Sequence, residues 1–258
     1  MRKFGFKIFS SNLQTAPSFV RECSEFASQK NDMFVELMVL PDRPQSELHE
    51  LKEILKNVEV RIHAVYSSFG FDAGNKDLEK QNRQMFEYTQ AAADLFKSKS
   101  IVVHAGNGHG KEYLNETVRQ FKLFNDKRIV VENLPYFDDN GDDLSGYNAS
   151  EINYIMEESG CGFCFDFSHA LCAAISLNID KEKQLKSFFD LKPTVYHLCD
   201  GDFNKAEDKH LHYGNGDYPL KHFLYDLTSE DAYITMETGE FALHNYLNVK
   251  DYEYLKSL

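Results

Sequence analysis

The sequence predicts an α/β fold, a single (β/α)8 barrel of TIM type spanning residues 1–258. Three observations predict it. Eight short apolar runs alternate with segments of helical periodicity. The runs are mostly continuous rather than alternating, as parallel strands covered on both faces are. Six of them close on a histidine or a carboxylate: His63, His104, Glu132, Asp166, His197 and Glu237. These recur in steps of roughly thirty to forty residues, the length of one strand plus one helix in such a barrel.

The first strand is expected over 3–9 (KFGFKIF), and Pro17 near a first helical position opens a helix over 17–29. A second strand at 34–40 (FVELMVL) precedes a helix over 45–57, and a third spans 58–65 (VEVRIHAV). The clearest helix follows at 76–97, where Leu78, Met85, Tyr88, Ala92 and Leu95 recur at helical spacing amid charges. Strands at 100–104 and 128–132 lead to helices over 111–125 and 149–159. A strand at 161–166 leads to one helix over 168–190, and a strand at 194–199 to a helix over 217–227. The last strand, 232–237, is followed by one or two helices within 240–258. Two connections, 133–148 and 200–219, are longer than closure needs. Both leave a strand's C-terminal end, where barrels keep their functional loops.

Composition narrows the function. The formal charge of -13 argues against non-specific attraction to nucleic acid or anionic lipid. Five cysteines (23, 161, 164, 172, 199) suggest no disulfide framework, so a reducing, cytoplasmic setting is expected. No apolar stretch is long enough to span a bilayer, and the opening MRKFGFKIFSS is too short an apolar run for a signal peptide.

Six strand-end residues of these types would point into one barrel mouth, where an unpartnered charge is costly and a metal is a natural partner. Two further motifs add ligand types: Asp166-Phe167-Ser168-His169, and Asp208-Lys209-His210 in the long loop after strand seven. Five histidines and four carboxylates result, more than one ion with an open position needs. They suit two or three ions with a bridging carboxylate. The mixture of imidazole and carboxylate favours zinc, manganese or iron over magnesium or calcium.

The motifs H-A-x-Y (63–66), V-H-x-G, V-E-N, D-x-x-H (166–169), H-L-x-D, D-x-H-x-x-x-G-x-G (208–216) and E-T together resemble endonuclease IV. That family contains metal-dependent apurinic/apyrimidinic endonucleases of the xylose isomerase-like barrel superfamily. The resemblance implies that His63, His104 and Glu132 hold one ion, and that Glu132 bridges to a second completed by Asp166, His197 and Glu237. It implies that His169, Asp208 and His210 hold a third. Glu132, Asp166 and Glu237 would be the catalytic carboxylates. The chemistry implied is hydrolysis of a phosphodiester, abasic DNA in the family, by a bridging water ionised near neutral pH. Tyr66 falls on the family's tyrosine that enters DNA at the lesion, and Arg43 is the one side chain of the loop after strand two that could probe it. Ser67 stands where a bulky apolar wedge belongs, and the basic residues that duplex binding requires are few.

Sugar isomerases and epimerases of the same superfamily resemble the chain at Glu132, Asp166, His197 and Glu237, a one-metal site beside which His169 would touch substrate. Glu36 is the kind of strand-two residue they carry. That reading leaves His63, His104, Asp208 and His210 unexplained. A barrel that binds metal without catalysis is a third class. Among smaller signals, His109 and His212 lie in mouth loops as candidate phosphate contacts, and Asp200 and Asp202 as acceptors that orient ligand imidazoles. Cys161 and Cys164 sit three apart in a strand, so they face opposite ways and are read as buried small hydrophobes. His49, His222 and His244 are expected in helices, as surface or packing residues.

Overall fold

The computed structural model describes residues 1–138, 140–239 and 246–258, the side chains of 246–248 excepted. Eight parallel strands close in sequence order. They are β1 Lys3–Phe9, β2 Met33–Met38, β3 Glu59–His63, β4 Ile101–His104, β5 Ile129–Glu132, β6 Gly162–Asp166, β7 Val195–Leu198 and β8 Tyr233–Met236. Around them run α1 Asn12–Thr15, α2 Pro17–Ser28, α3 Gln45–Ile54, α4 Glu79–Phe96, α5 Lys111–Phe124, α6 Ala149–Ser159, α7 Phe167–Ser176, α8 Lys181–Phe189, α9 Leu220–Asp226 and α10 Tyr246–Ser257. All eight expected strands form. No helix among the described residues is long and apolar enough to cross a membrane.

One expected element divides. The helix expected over 168–190 is two, α7 and α8, because Asn178 adopts a left-handed backbone (φ 52) and Asp180 caps the next helix through Lys183 N. Asparagine tolerates that conformation better than other side-chain-bearing residues, and aspartate is a preferred N-cap. The last helical region is described only as α10, and His244 lies outside the described residues.

The main core lies between strands and helices, built from residues such as Phe6, Val35, Ile62, Val103, Val131, Phe165 and Ile234. A second, smaller cluster, Val102, Val130, Cys164 and Val195, is separate from it. Each of these four stands two residues before His104, Glu132, Asp166 or His197, so strand alternation puts it on the same inward face, one layer below the ligand types. Cys164 is thus barrel filling, and Cys161 is only half-buried. Gly5 completes the packing. A side chain there would collide with the ring of Phe34, its partner in β2, which fills the lumen instead. Gly5→Val should lower stability by about 1–3 kcal/mol through overpacking. Urea denaturation checks this, and an unchanged midpoint would show that the Phe34 ring is free to move aside.

Candidate metal centre

Parallel register sets the strand ends level. His104 lies beside Glu132, Asp166 beside His197, and His197 beside Thr235, so neighbouring strands deliver their inward side chains at one height. At the middle stands Glu132, 1% exposed. Its Oε2 faces His63 Nε2 at 3.1 Å and His104 Nε2 at 3.3 Å. Its Oε1 faces His197 Nδ1 at 2.9 Å and His169 Nδ1 at 3.5 Å. One carboxylate therefore looks into two groups of donors. Three sets bring ligand atoms within 4.8 Å of one another: His63, His104 and Glu132; Glu132, Asp166, His197 and Glu237; and Glu36, His63, His197 and Glu237.

The D-x-x-H motif works through a helix cap. Asp166 is the N-cap of α7, and its Oδ1 accepts the backbone N–H of His169 at 2.7 Å. That turn places the His169 ring over the mouth. Asn133 locks the same corner: its amide donates to Asp166 O, its Oδ1 accepts Asp166 N, and its carbonyl accepts from His169 Nδ1 at 2.9 Å. With Nδ1 committed, Nε2 of His169 turns to Asp208 Oδ2 at 3.2 Å. His210 Nε2 approaches the same oxygen at 3.3 Å and Glu237 Oε2 at 3.5 Å. His210 holds a left-handed backbone (φ 46), uncommon for a residue with a side chain.

His197 is oriented from below. Its Nε2 lies 3.2 Å from Glu36 Oε2, which turns Nδ1 toward Glu132 and Glu237. Glu36 is fully buried and is held by Lys7 Nζ at 2.8 Å and Thr235 Oγ1 at 2.8 Å. Lys7, equally buried, also donates to Glu237 Oε1 at 2.5 Å. A carboxylate behind a ligand imidazole fixes its tautomer and raises its basicity. Sequence reading noticed Glu36 without this role and missed Lys7 and Asn133. The signal for Lys7 was the inward phase it shares with Glu36, its direct partner across β1 and β2.

Two expected orienting groups do something else. Asp200 accepts the N–H groups of Gly201, Gly214, Gly216 and Tyr218, and so organises its loop rather than an imidazole. Gly216 packs directly on the Gly201 backbone with no room for a side chain, which makes the G-N-G run a turn. Asp202 is paired with Lys205 at 3.2 Å. Of the expected substrate contacts, Tyr66 lines the cavity and stacks on His104 with ring centroids 4.8 Å apart. Arg43 pairs with Glu47 at 2.9 Å, His212 with Asp251 at 2.7 Å, and His109 packs on Tyr136 at 4.2 Å; none of the three lines the cavity. The cavity holds about 680 Å³ above the ligand set.

A family model described as xylose isomerase-like TIM barrel matches residues 27–245. The chain belongs to that family. None of the curated proteins compared with it is significantly similar in sequence. Among solved structures, endonuclease IV from Thermus thermophilus is 18% identical, with a TM-score of 0.68 over 99% of this chain and 98% of its own. A D-tagatose 3-epimerase-like protein is 19% identical, with a TM-score of 0.67 over 98% of this chain and 96% of its own. Another Thermus thermophilus protein, soaked with zinc chloride, is 16% identical, with a TM-score of 0.69 over 99% of this chain and 97% of its own. These structural likenesses show the barrel fold and include both an endonuclease and an epimerase-like protein at similar distance.

The donor set fits divalent ions. Burial opposes charge on His210, yet Asp208 and Glu237 hold it up at about 9. Burial also opposes charge on His197 and His169, yet both stay well above the ordinary histidine value. Cys164, Glu237, Glu36 and Glu132 hold up the first; Asp166, Asp208 and Glu132 hold up the second. Burial pushes Asp166 up to about 7 against the pull of His169, with Asp208, Glu132 and Glu237 adding to the rise. Burial moves His104 the other way, below its ordinary value. Without ions, protons are the glue among these carboxylates. Groups with raised folded pKa values contribute stability at low pH and lose it as pH rises. For Asp166 that loss runs from about 4 to about 7, and for His210 from about 6.5 to about 9. The metal-free barrel should therefore lose stability from about pH 4 to about pH 9 through these groups, whereas zinc, which competes with the same protons, should stabilise increasingly over that range. Thermal melts with and without zinc check this, and parallel pH slopes would contradict ligation by these side chains.

Lys7 generates a second prediction. Burial opposes its charge, but Glu237, Glu36 and Glu132 hold its pKa above the ordinary lysine value. Lys7→Met should destabilise the metal-free protein by about 3–5 kcal/mol, the usual cost of breaking a buried ion pair from one side. Adding Glu36→Gln should restore a substantial part. Denaturation of both single variants and the double variant measures the coupling; strict additivity would show that the pair is not energetically linked.

Proposed function

We propose that the protein is a metal-dependent phosphodiester hydrolase with three ions in the barrel mouth. The observation that carries this is Glu132, whose two oxygens face two separate sets of imidazoles, with Asp208 gathering His169 and His210 alongside. His63, His104 and Glu132 would hold one ion; Glu132, Asp166, His197 and Glu237 a second; His169, Asp208 and His210 a third. Zinc suits this mixture of nitrogen and oxygen donors, with manganese or iron as alternatives. Bound ions would supply a water acidified toward neutral pH and positive charge to offset that on a phosphoryl group.

The protein's own residues supply the rest. Glu36 and Asn133 fix which nitrogen of His197 and His169 faces the mouth. Lys7 holds Glu36 and Glu237 in place and, with His197, favours their ionised form. Tyr66 covers one face of His104 and narrows access from solvent. Likeness to endonuclease IV in motifs and fold supports the reading.

One observation favours a second reading. Glu132, Asp166, His197 and Glu237 already form a complete buried set, enough for the single ion of an isomerase or epimerase that moves a proton between carboxylates beside a ketose. Metal analysis of the purified protein separates the two. The hydrolase reading expects about three ions per chain and hydrolysis of phosphodiesters. In Glu132→Gln at least two ions should be lost and turnover should fall by about 10³-fold or more, as expected when a shared charge is removed. One ion per chain with turnover of a ketose would replace this reading by the isomerase, and full activity in Glu132→Gln would end it.

A further inference from the structure

The floor and the rim of the cavity differ in charge. Three divalent ions and Lys7 would together carry seven positive charges on the floor, against the five carboxylates Glu36, Glu132, Asp166, Asp208 and Glu237. The excess of two suffices for one phosphodiester anion. Beyond the ligand types the cavity is lined by Phe9, Met38, Leu134, Pro135, Phe137 and Leu144, by the uncharged polar residues Ser67, Ser68 and Asn140, and by one further carboxylate, Asp138. Asp142 and Asp143 follow in the same loop and are exposed.

The basic side chains of the loops after β2 and β7 are paired with carboxylates. Arg43 is paired with Glu47, Lys205 with Asp202 at 3.2 Å, and Lys209 with Glu207 at 2.7 Å. The undescribed residues, Asp139 and 240–245 (EFALHN), contain neither lysine nor arginine. A nucleic-acid duplex depends on several cationic contacts to successive phosphates, and its affinity scales with their number. Here the loop after β5 presents carboxylates beside the cavity instead, Asp138, Asp142 and Asp143.

The rim also holds an aromatic platform. Phe137 lines the cavity while 44% exposed. It is buttressed from behind: Tyr136 packs on it edge-on at 4.4 Å, and His109 stands against Tyr136 while its Nε2 meets the Tyr136 carbonyl at 3.1 Å. Tyr147 closes that cluster, 4.7 Å from Tyr136. An exposed ring held from behind loses little freedom when a ligand stacks on it.

Resting on the hydrolase reading, we infer that the substrate is a small phosphodiester of single negative charge with an aromatic or apolar substituent that packs against Phe137, not a nucleic-acid duplex. Water adds at phosphorus, one P–O ester bond breaks, and the departing oxygen takes up a proton. The products are a phosphomonoester and an alcohol.

The test compares two substrates on the zinc-loaded protein: a dinucleoside monophosphate, and a duplex with one abasic site. The inference expects kcat/KM at least about tenfold higher for the small diester. It also expects less than about a twofold change between roughly 50 and 200 mM salt, where a multi-phosphate contact would lose orders of magnitude. Phe137→Ala should raise KM for the dinucleoside monophosphate about fivefold or more with kcat little changed, the pattern of lost uniform binding. Efficient, salt-sensitive incision of the duplex with poor turnover of the small diester would overturn the inference and leave the hydrolase reading standing. An unchanged KM in Phe137→Ala would remove the platform. No hydrolysis of either substrate by fully loaded protein would overturn the hydrolase reading itself.

Discussion

The buried carboxylate of Glu132 is the constraint around which the barrel mouth is arranged. A negative charge taken almost wholly out of water is costly unless it is paired and hydrogen-bonded. Here it meets imidazoles on both oxygens: His63 and His104 on one, His197 and His169 on the other. Those partners come from three strand ends and the first turn of a helix. Barrel closure is what brings them to one carboxylate, since only a closed sheet places β3, β4, β6 and β7 around β5 at a common height. Without ions the positive partners of these carboxylates are Lys7 and imidazoles held above their ordinary pKa, a role that a divalent cation would take over.

Beneath that layer the interior changes character in steps. Valines and Cys164 fill the lumen directly under the ligand side chains on one half of the barrel. On the other half, Lys7 and Glu36, with Thr235 level with His197, form a buried polar network that meets His197 Nε2. The apolar half seals the site from below. The polar half supports a specific imidazole orientation, and such a network rigidifies its surroundings only when every member is satisfied. Lys7 meets that condition by reaching two carboxylates at once.

Much of this was legible because strand ends and ligand types are both local properties. His63, His104, Glu132 and Asp166 each terminate a strand as their runs suggested, and His197 and Glu237 fall within one residue of a strand end. What was not legible depends on contacts across the barrel. Lys7 looked like a break in an apolar run, and only its pairing with Glu36 in β2 and Glu237 after β8 explains a charge there. Asp200 looked like an acceptor for an imidazole because it is three residues past His197. Loop closure instead turned it onto four backbone N–H groups. The break between α7 and α8 was written in Asn178 and Asp180, but the apolar periodicity across them hid it.

Arg43, His109 and His212 were placed at the mouth by their loops alone, and the structure shows why loop membership is a weak guide. Each has found a nearer partner: Glu47 in α3, the Tyr136 ring, and Asp251 in α10. His212 and Asp251 illustrate the consequence. Asp251 also accepts from Tyr213 N in the same loop, so α10 fixes the segment that follows Asp208 and His210. His212 is thus tied through Asp251 to holding the loop that carries Asp208 and His210. The position of Asp208 over His169 therefore depends on a helix at the far end of the chain as well as on the strand ends that first drew notice.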